Sequence, residues 1–337
     1  NQSYSSVAAW MARRFGALTV LTRAGLSLSS GMRRVLGTRL FLGLLSGVRK
    51  LSGSRLPRIG SSVPRAAVVE SEVLTWVPSK QLVASARSDV DERRVVYFPS
   101  CAARTMGPGD DDSDLRSLPD VTFSLLQKAG FEVLIPDSIT SLCCGMPFES
   151  KGHFDAADGK TEELNRALLQ ASENGRYPVL MDTSPCEFRS ASRLDSRLQV
   201  FDPIAFAEKF LVPNLQITPV AEPIMLHITC STRKRGLAET LERLGRSLCS
   251  NLIVPEDIHC CGFAGDKGFT VPELNQSALA PLQQQVPAGC VQGVSTSRTC
   301  EIGLSEHAGI PYQSIFYLMD RVSQSLDASK EAKSHGV

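Results

Sequence analysis

Glu132-Val133-Leu134-Ile135-Pro136-Asp137, running on to Cys143-Cys144-Gly145, has an echo in Asn251-Leu252-Ile253-Val254-Pro255-Glu256, running on to Cys260-Cys261-Gly262. Each copy is a short β-rich run closed by a proline and an acid, then a vicinal cysteine pair with a glycine. A lone cysteine precedes each pair (Cys101, Cys230) and a late one follows (Cys186, Cys300). Between the copies the lone cysteine shifts by 129 residues, the Cys-Cys-Gly by 117 and the late cysteine by 114. Three anchors in one order mark an internal repeat. Its period of roughly 115–130 residues is too long for a solenoid unit and suits a duplicated domain.

The runs around the anchors alternate between strand and helix character. Val95-Val96-Tyr97-Phe98 ends at Pro99-Ser100-Cys101, and Ile224-Met225-Leu226-His227-Ile228 ends at Thr229-Cys230. Pro178-Val179-Leu180-Met181 leads through Asp182 to Cys186, and residues 289–294 lead through Ser295 to Cys300. Residues 199–201 add a strand. Helical spacing is expected over 115–129, 155–174, 204–211, 237–248 and 311–323. Alternating strands and helices imply parallel sheets, whose functional groups collect beyond the carboxyl ends of the strands. All six anchors fall there. The expected fold class is α/β, as two duplicated Rossmann-like parallel-sheet domains over 91–218 and 219–325. A basic helical arm and linker over 1–90 precede them, and a tail follows over 326–337.

The charge is divided unevenly. Residues 1–69 hold eleven Arg and Lys and no acid, in a chain whose net charge is +1, so the remainder carries −10. The arm reads as helices with apolar residues at three-to-four spacing, and is expected to meet something acidic. Pro57, Pro64 and Pro78 mark a linker wrapping onto the body. No run of eighteen uncharged apolar residues exists, and Phe41–Val48 is flanked by Arg39 and Arg49, so no membrane span is expected. The absence of a visible signal peptide points to a reducing, cytoplasmic setting.

In such a setting clustered cysteines favour metal or redox roles over structural bridges. Thiolate suits zinc and iron–sulfur groups. Two adjacent cysteines fit poorly in one tetrahedral zinc cage, where spacings of two to four residues are usual. A cluster of several irons takes both, each on its own iron. The eight candidate cofactor and metal ligands are therefore Cys101, Cys143, Cys144 and Cys186, with Cys230, Cys260, Cys261 and Cys300. Gly145 and Gly262 would let the backbone approach a bulky inorganic group. Cys249 and Cys290 have no counterpart in the other repeat and read as core residues. Arg298, His259 and Asp182 are candidates for a supporting shell, Arg298 by lowering the charge beside the thiolates. No catalytic residue is identified. Gly262-Phe263-Ala264-Gly265-Asp266-Lys267-Gly268 lacks the Walker pattern and is not read as a nucleotide loop.

Four stretches carry a resemblance: Tyr97-Phe98-Pro99-Ser100-Cys101, Cys143-Cys144-Gly145-Met146-Pro147-Phe148, Cys261-Gly262-Phe263-Ala264-Gly265-Asp266, and Ser295-Thr296-Ser297-Arg298-Thr299-Cys300-Glu301-Ile302-Gly303. They resemble the duplicated cysteine-rich (CCG) domain of the heterodisulfide reductase B subunit and of glycolate oxidase iron–sulfur subunits. The wording is closer still to the carboxyl-terminal part of bacterial FAD-linked, iron–sulfur D-lactate dehydrogenases. The resemblance implies an oxidoreductase module that carries electrons through iron–sulfur clusters of the 4Fe–4S type. FAD would sit on a partner domain, since no flavin-binding segment is found here. The implied partners are the FAD-binding and ferredoxin-like domains of the same enzyme and a quinone or cytochrome acceptor, with no nucleic acid. The arm would contact the flavoprotein half or the inner face of the cytoplasmic membrane. The chain then reads as the terminal portion of a longer protein or one subunit of a complex. One departure stands out: Thr183 and Ser297 occupy the position where the heterodisulfide reductase branch has a fifth thiolate in each repeat. The rival readings are a zinc-stabilised or metal-free docking scaffold and a thiol–disulfide reductase.

Overall fold

The computed structural model describes residues 2–51, 63–69 and 93–326. The expected tail and most of the expected linker lie outside the described residues. Where the linker is described it lies on the body as an extended strap, with Ala67 N–H donating to the Thr105 carbonyl at 3.0 Å and Arg65 N–H to that of Pro108 at 2.9 Å.

The arm is helical as expected, in α1 (Gln2–Arg13), α2 (Phe15–Leu36) and α3 (Thr38–Leu51). The first repeat follows as β1 (Arg94–Phe98), α4 (Cys101–Thr105), α5 (Leu118–Lys128), β2 (Glu132–Leu134), α6 (Met146–Glu149), α7 (Phe154–Ala171), β3 (Val179–Met181), α8 (Ser184–Ser190), β4 (Val200–Phe201), α9 (Pro203–Phe206) and β5 (Leu215–Ile217). The second is β6 (Ile224–Leu226), α10 (Cys230–Lys234), α11 (Ala238–Leu248), β7 (Leu252–Ile253), α12 (Glu273–Ala278), β8 (Gln292–Ser295), α13 (Arg298–Ala308), β9 (Tyr312–Ser314), α14 (Ile315–Val322) and β10 (Ser323–Ser325).

The duplication is visible in the sheets. One has the order β2-β1-β3-β4 and the other β7-β6-β8-β9, both parallel throughout. The alternating residues of β1 explain why it is central. Val95 and Tyr97 enter the core under α5, whereas Val96 and Phe98 enter the one under α7. The chain leaves β1 to build β2 on one side and β3 on the other. A crevice therefore opens at the carboxyl end of β1, and by the same order at that of β6.

The repeats share one core. Leu125 and Leu126 of α5 pack with Phe316, Leu318 and Met319 of α14 and with Leu241 and Leu244 of α11. Asp320 of α14, buried, pairs with Lys128 at 2.6 Å and Arg116 at 2.7 Å. The sequence also left features unread. An antiparallel ribbon joins β10 to β5, tying the described end of the chain to the first repeat. The helix expected over 311–323 is corrected to a strand followed by a helix. Tyr312–Ser314 pairs with β8, because Gly293 leaves the space that the Tyr312 ring fills, and the Ser314 hydroxyl then caps α14. The helix expected over 204–211 narrows to α9 before widening into a looser turn.

Two outcomes follow from the shared core. Urea unfolding should remove both halves in one transition, and two resolved transitions would contradict it. Asp320→Ala should lower stability by about 2 kcal/mol, because it removes the buried carboxylate that bridges the repeats through Lys128 and Arg116.

Candidate metal centres at the strand ends

Cys101 and Cys230 open short helices directly after the two central strands. Ser100 and Thr229 cap those helices, each accepting from the amide three residues on at 3.2 Å. Asp182, fully buried, fixes the first of these turns by accepting from Ser100 N–H at 2.9 Å and Tyr97 O–H at 2.9 Å. Burial pushes its carboxyl above the usual range, against these hydrogen bonds. Cys186 and Cys300 lie in the first turns of α8 and α13, beyond Thr183 and Ser297 at the helix entrances.

The Cys-Cys-Gly loops repeat a finer detail. Gly145 and Gly262 have φ of 89° and 72°, and in both the glycine N–H turns back to the sulfur two residues earlier at 3.3 Å. The left-handed backbone requires glycine, and a Cβ would also strike the carbonyls of Ala157 and Leu274 respectively. The first cysteine of each pair thereby gains an amide donor suited to a thiolate.

The eight sulfurs meet in two matching chains of neighbours. In the first repeat Cys101 lies 4.0 Å from Cys143, and Cys144 interacts with both Cys143 and Cys186. In the second, Cys260 interacts with Cys230 and Cys261, and Cys261 lies 2.9 Å from Cys300. Hydrogen bonds from these neighbours hold Cys144 and Cys260 well below the usual thiol range, and the Cys143 contact lowers Cys101. The same contacts, followed by burial, push Cys143, Cys186, Cys230 and Cys261 upward. Among the described residues no three His, Cys, Asp or Glu side chains converge as they would around a single ion.

The two groups differ in cover and charge. Ala12 of α1 and Phe15 of α2 pack on Cys143 and Cys101, and the Phe15 ring stacks on Phe148 at 5.9 Å. Cys143, Cys144 and Cys186 are buried and Cys101 half-buried, while in the second group Cys230 and Cys260 are exposed. Two guanidiniums enter the first group. Arg104 donates to the carbonyls of Ile139 and Leu142, and Arg189 to those of Cys144 and the Thr161 hydroxyl, with Glu149 at 2.9 Å. Both are buried. They tie the helices that carry Cys101 and Cys186 to the loop carrying Cys143 and Cys144. In the second repeat neutral Asn275 does the corresponding work, donating to the Cys261 carbonyl at 2.6 Å. His227, buried beside Cys260, receives or gives a hydrogen bond with Ser295 at 3.0 Å through Nδ1, and burial lowers its pKa to about 4. Its Nε2 has no hydrogen-bond partner among the described residues.

Of the residues proposed as support, Asp182 acts through the Cys101 turn. The Arg298 guanidinium pairs with Glu301 at 3.2 Å and donates to the Gly107 carbonyl at 2.6 Å, linking the repeats. His259 is exposed. Cys249 and Cys290 stand apart from both groups, their thiols donating to the carbonyls of Glu222 and Gln292. The residues missed are Arg104, Arg189, Asn275 and His227. The two arginines carried a readable signal, since each lies three positions after an anchor cysteine at the start of a helix, on the same face.

Residues 95–188 match the family model of the CCG cysteine-rich domain. That match ends two residues past Cys186, and the second repeat is likened to the first by strand order and anchors. Lactate utilization protein A 2 of Bacillus mycoides is 27% identical over 174 residues, spanning 47% of this chain and 70% of that protein. Lactate utilization protein A of Bacillus thuringiensis is 26% identical over the same coverage. Among solved structures, aspartate racemase of Picrophilus torridus overlaps at a TM-score of 0.31 with 10% identity, over 71% of this chain and 98% of that one, a likeness too slight to carry an argument. No helix among the described residues is long and apolar enough to cross a membrane.

Arg189→Met should cost about 2 kcal/mol in a urea titration of the metal-free chain, because it removes the buried guanidinium that joins the Cys144 carbonyl, the Thr161 hydroxyl and Glu149. Brief alkylation of the metal-free, reduced chain should label Cys230 and Cys260 well before Cys143, Cys144 and Cys186. Equal labelling, read by peptide mass, would refute the cover assigned to the arm.

Proposed function

We propose that this chain is the iron–sulfur electron-transfer module of an enzyme that oxidises lactate or a related 2-hydroxy acid. The observation that carries the reading is the pair of thiol quartets, each beyond the carboxyl ends of its sheet and each with a glycine N–H turned onto a sulfur. The residues fit a polynuclear group better than a single ion. The four sulfurs of each quartet lie in a row of neighbours, so the vicinal thiols are available to separate metals. Cys101, Cys143, Cys144 and Cys186 would hold one cluster, and Cys230, Cys260, Cys261 and Cys300 the other, as 4Fe–4S or a related form. Such a group, when bound, takes up and releases single electrons.

The chain's own residues make this workable. Arg104 and Arg189 offset the thiolate charge that the first site collects in its buried setting, which favours the reduced state. Ala12 and Phe15 exclude water from that site. The open second site offers Cys230 and Cys260 to whatever meets the chain there. FAD would belong to a partner domain, with a ferredoxin-like domain between, and electrons would leave to a quinone or cytochrome. The lactate assignment is supported by the named relatives and by the CCG resemblance.

Anaerobic reconstitution with iron and sulfide tests the reading. The expected result is a brown protein whose iron and acid-labile sulfide both fall by about half in Cys144→Ser and in Cys261→Ser. A colourless chain holding stoichiometric zinc, or iron content untouched by either substitution, would overturn it. Loss of two hydrogens per vicinal pair with no metal uptake would favour the disulfide chemistry instead.

A further inference from the structure

The helix α2 is amphipathic in the wrong sense for a chain that ends its contacts here. Its buried side contains Ser29, Ser30 and Arg33 besides Phe15. Arg33 pairs with Asp110 at 3.0 Å and donates to the Val63 carbonyl at 2.9 Å. The outward side is apolar: Leu21, Leu28 and Val35 are 68%, 67% and 84% exposed. With Ala17, Ala24 and Gly31, all exposed, they recur at alternating four-and-three spacing, which is the seam of a helix that packs along another helix. Leu40, Leu44 and Val48 continue an exposed apolar row on α3.

Glycine gives the second observation. A Cβ built at Gly25, Gly31, Gly43 or Gly47 meets nothing within 4 Å. Glycine inside a helix is unfavourable relative to alanine, and nothing among the described residues packs against these four positions. Small residues on an outer helix face let another backbone approach closely. Lipid makes no such demand, so the surface favours a protein helix over a bilayer. The charge completes the description. Residues 1–69 carry no Asp or Glu, and Arg13, Arg14, Arg34 and Arg39 are exposed around the apolar rows.

We propose that the outer face of α2 and α3 is a docking surface for a helical protein partner that presents an apolar stripe flanked by carboxylates. The inference goes beyond the electron-transfer reading and holds whatever the thiols bind.

The test uses the full chain and two synthetic three-heptad helices with leucine at the seam, one flanked by glutamate and one by lysine. Fluorescence anisotropy should find the glutamate helix bound at least roughly tenfold more tightly than the lysine helix, with that preference reversed in Arg34→Glu/Arg39→Glu. Gly31→Leu/Gly43→Leu/Gly47→Leu should keep or raise the melting temperature while weakening glutamate-helix binding by at least roughly tenfold. A fall in melting temperature would show that these glycines serve the chain's own packing and would overturn the proposal. Equal binding of both helices would overturn it too. So would anionic vesicle co-sedimentation that the triple variant abolishes with no helix bound, which names lipid as the occupant. A wild-type dimer in sedimentation that the triple variant renders monomeric would name a second copy instead.

Discussion

In each sheet the first strand lies between the two that follow it, and the chain must step off its carboxyl end into the crevice they leave. That constraint sets where every anchor cysteine can be. Cys101 and Cys230 open the first helix of each crevice, Cys143-Cys144 and Cys260-Cys261 line its second wall, and Cys186 and Cys300 its third. The thiols are brought together by topology before any of their own interactions act. The glycine of each loop, in the left-handed region, then refines the arrangement by turning its N–H back to the sulfur two residues earlier.

Duplication supplied two sites, and the surroundings made them unequal. The arm closes the first with Ala12 and Phe15, and two buried guanidiniums compensate for the charge gathered there. The second keeps Asn275 in place of a guanidinium and leaves two thiols open to solvent. A buried site and an open one differ in solvent exposure, one of the levers that set a cluster's potential. The shared core, the Asp320 bridge and the β5–β10 ribbon hold the sites in one frame.

Much of this was legible in the sequence because the signals were chemical and periodic. Two identical Cys-Cys-Gly loops after β-rich runs gave the parallel sheets and the eight thiols. The Glu301 and Gly107 contacts of Arg298 escaped because closeness in sequence to Cys300 says nothing of which way a long side chain turns. Arg104 and Arg189 escaped because arginine at a helix start reads as a solvated residue unless the three-residue step from the cysteine is noticed. Tyr312–Ser314 escaped because its strand character depends on Gly293, nineteen residues earlier. The inequality of the sites was beyond reach, since it depends on where a helix more than eighty residues upstream comes to rest.

The central claim is that each quartet holds iron in a polynuclear sulfur environment. X-ray absorption at the iron edge of the reconstituted full chain tests it most directly. The account predicts a first shell of sulfur with iron–iron scattering beyond it, unchanged per iron in the smaller amount of iron left when either Cys144 or Cys261 is replaced by serine. A shell of nitrogen and oxygen with no metal–metal scattering would contradict it.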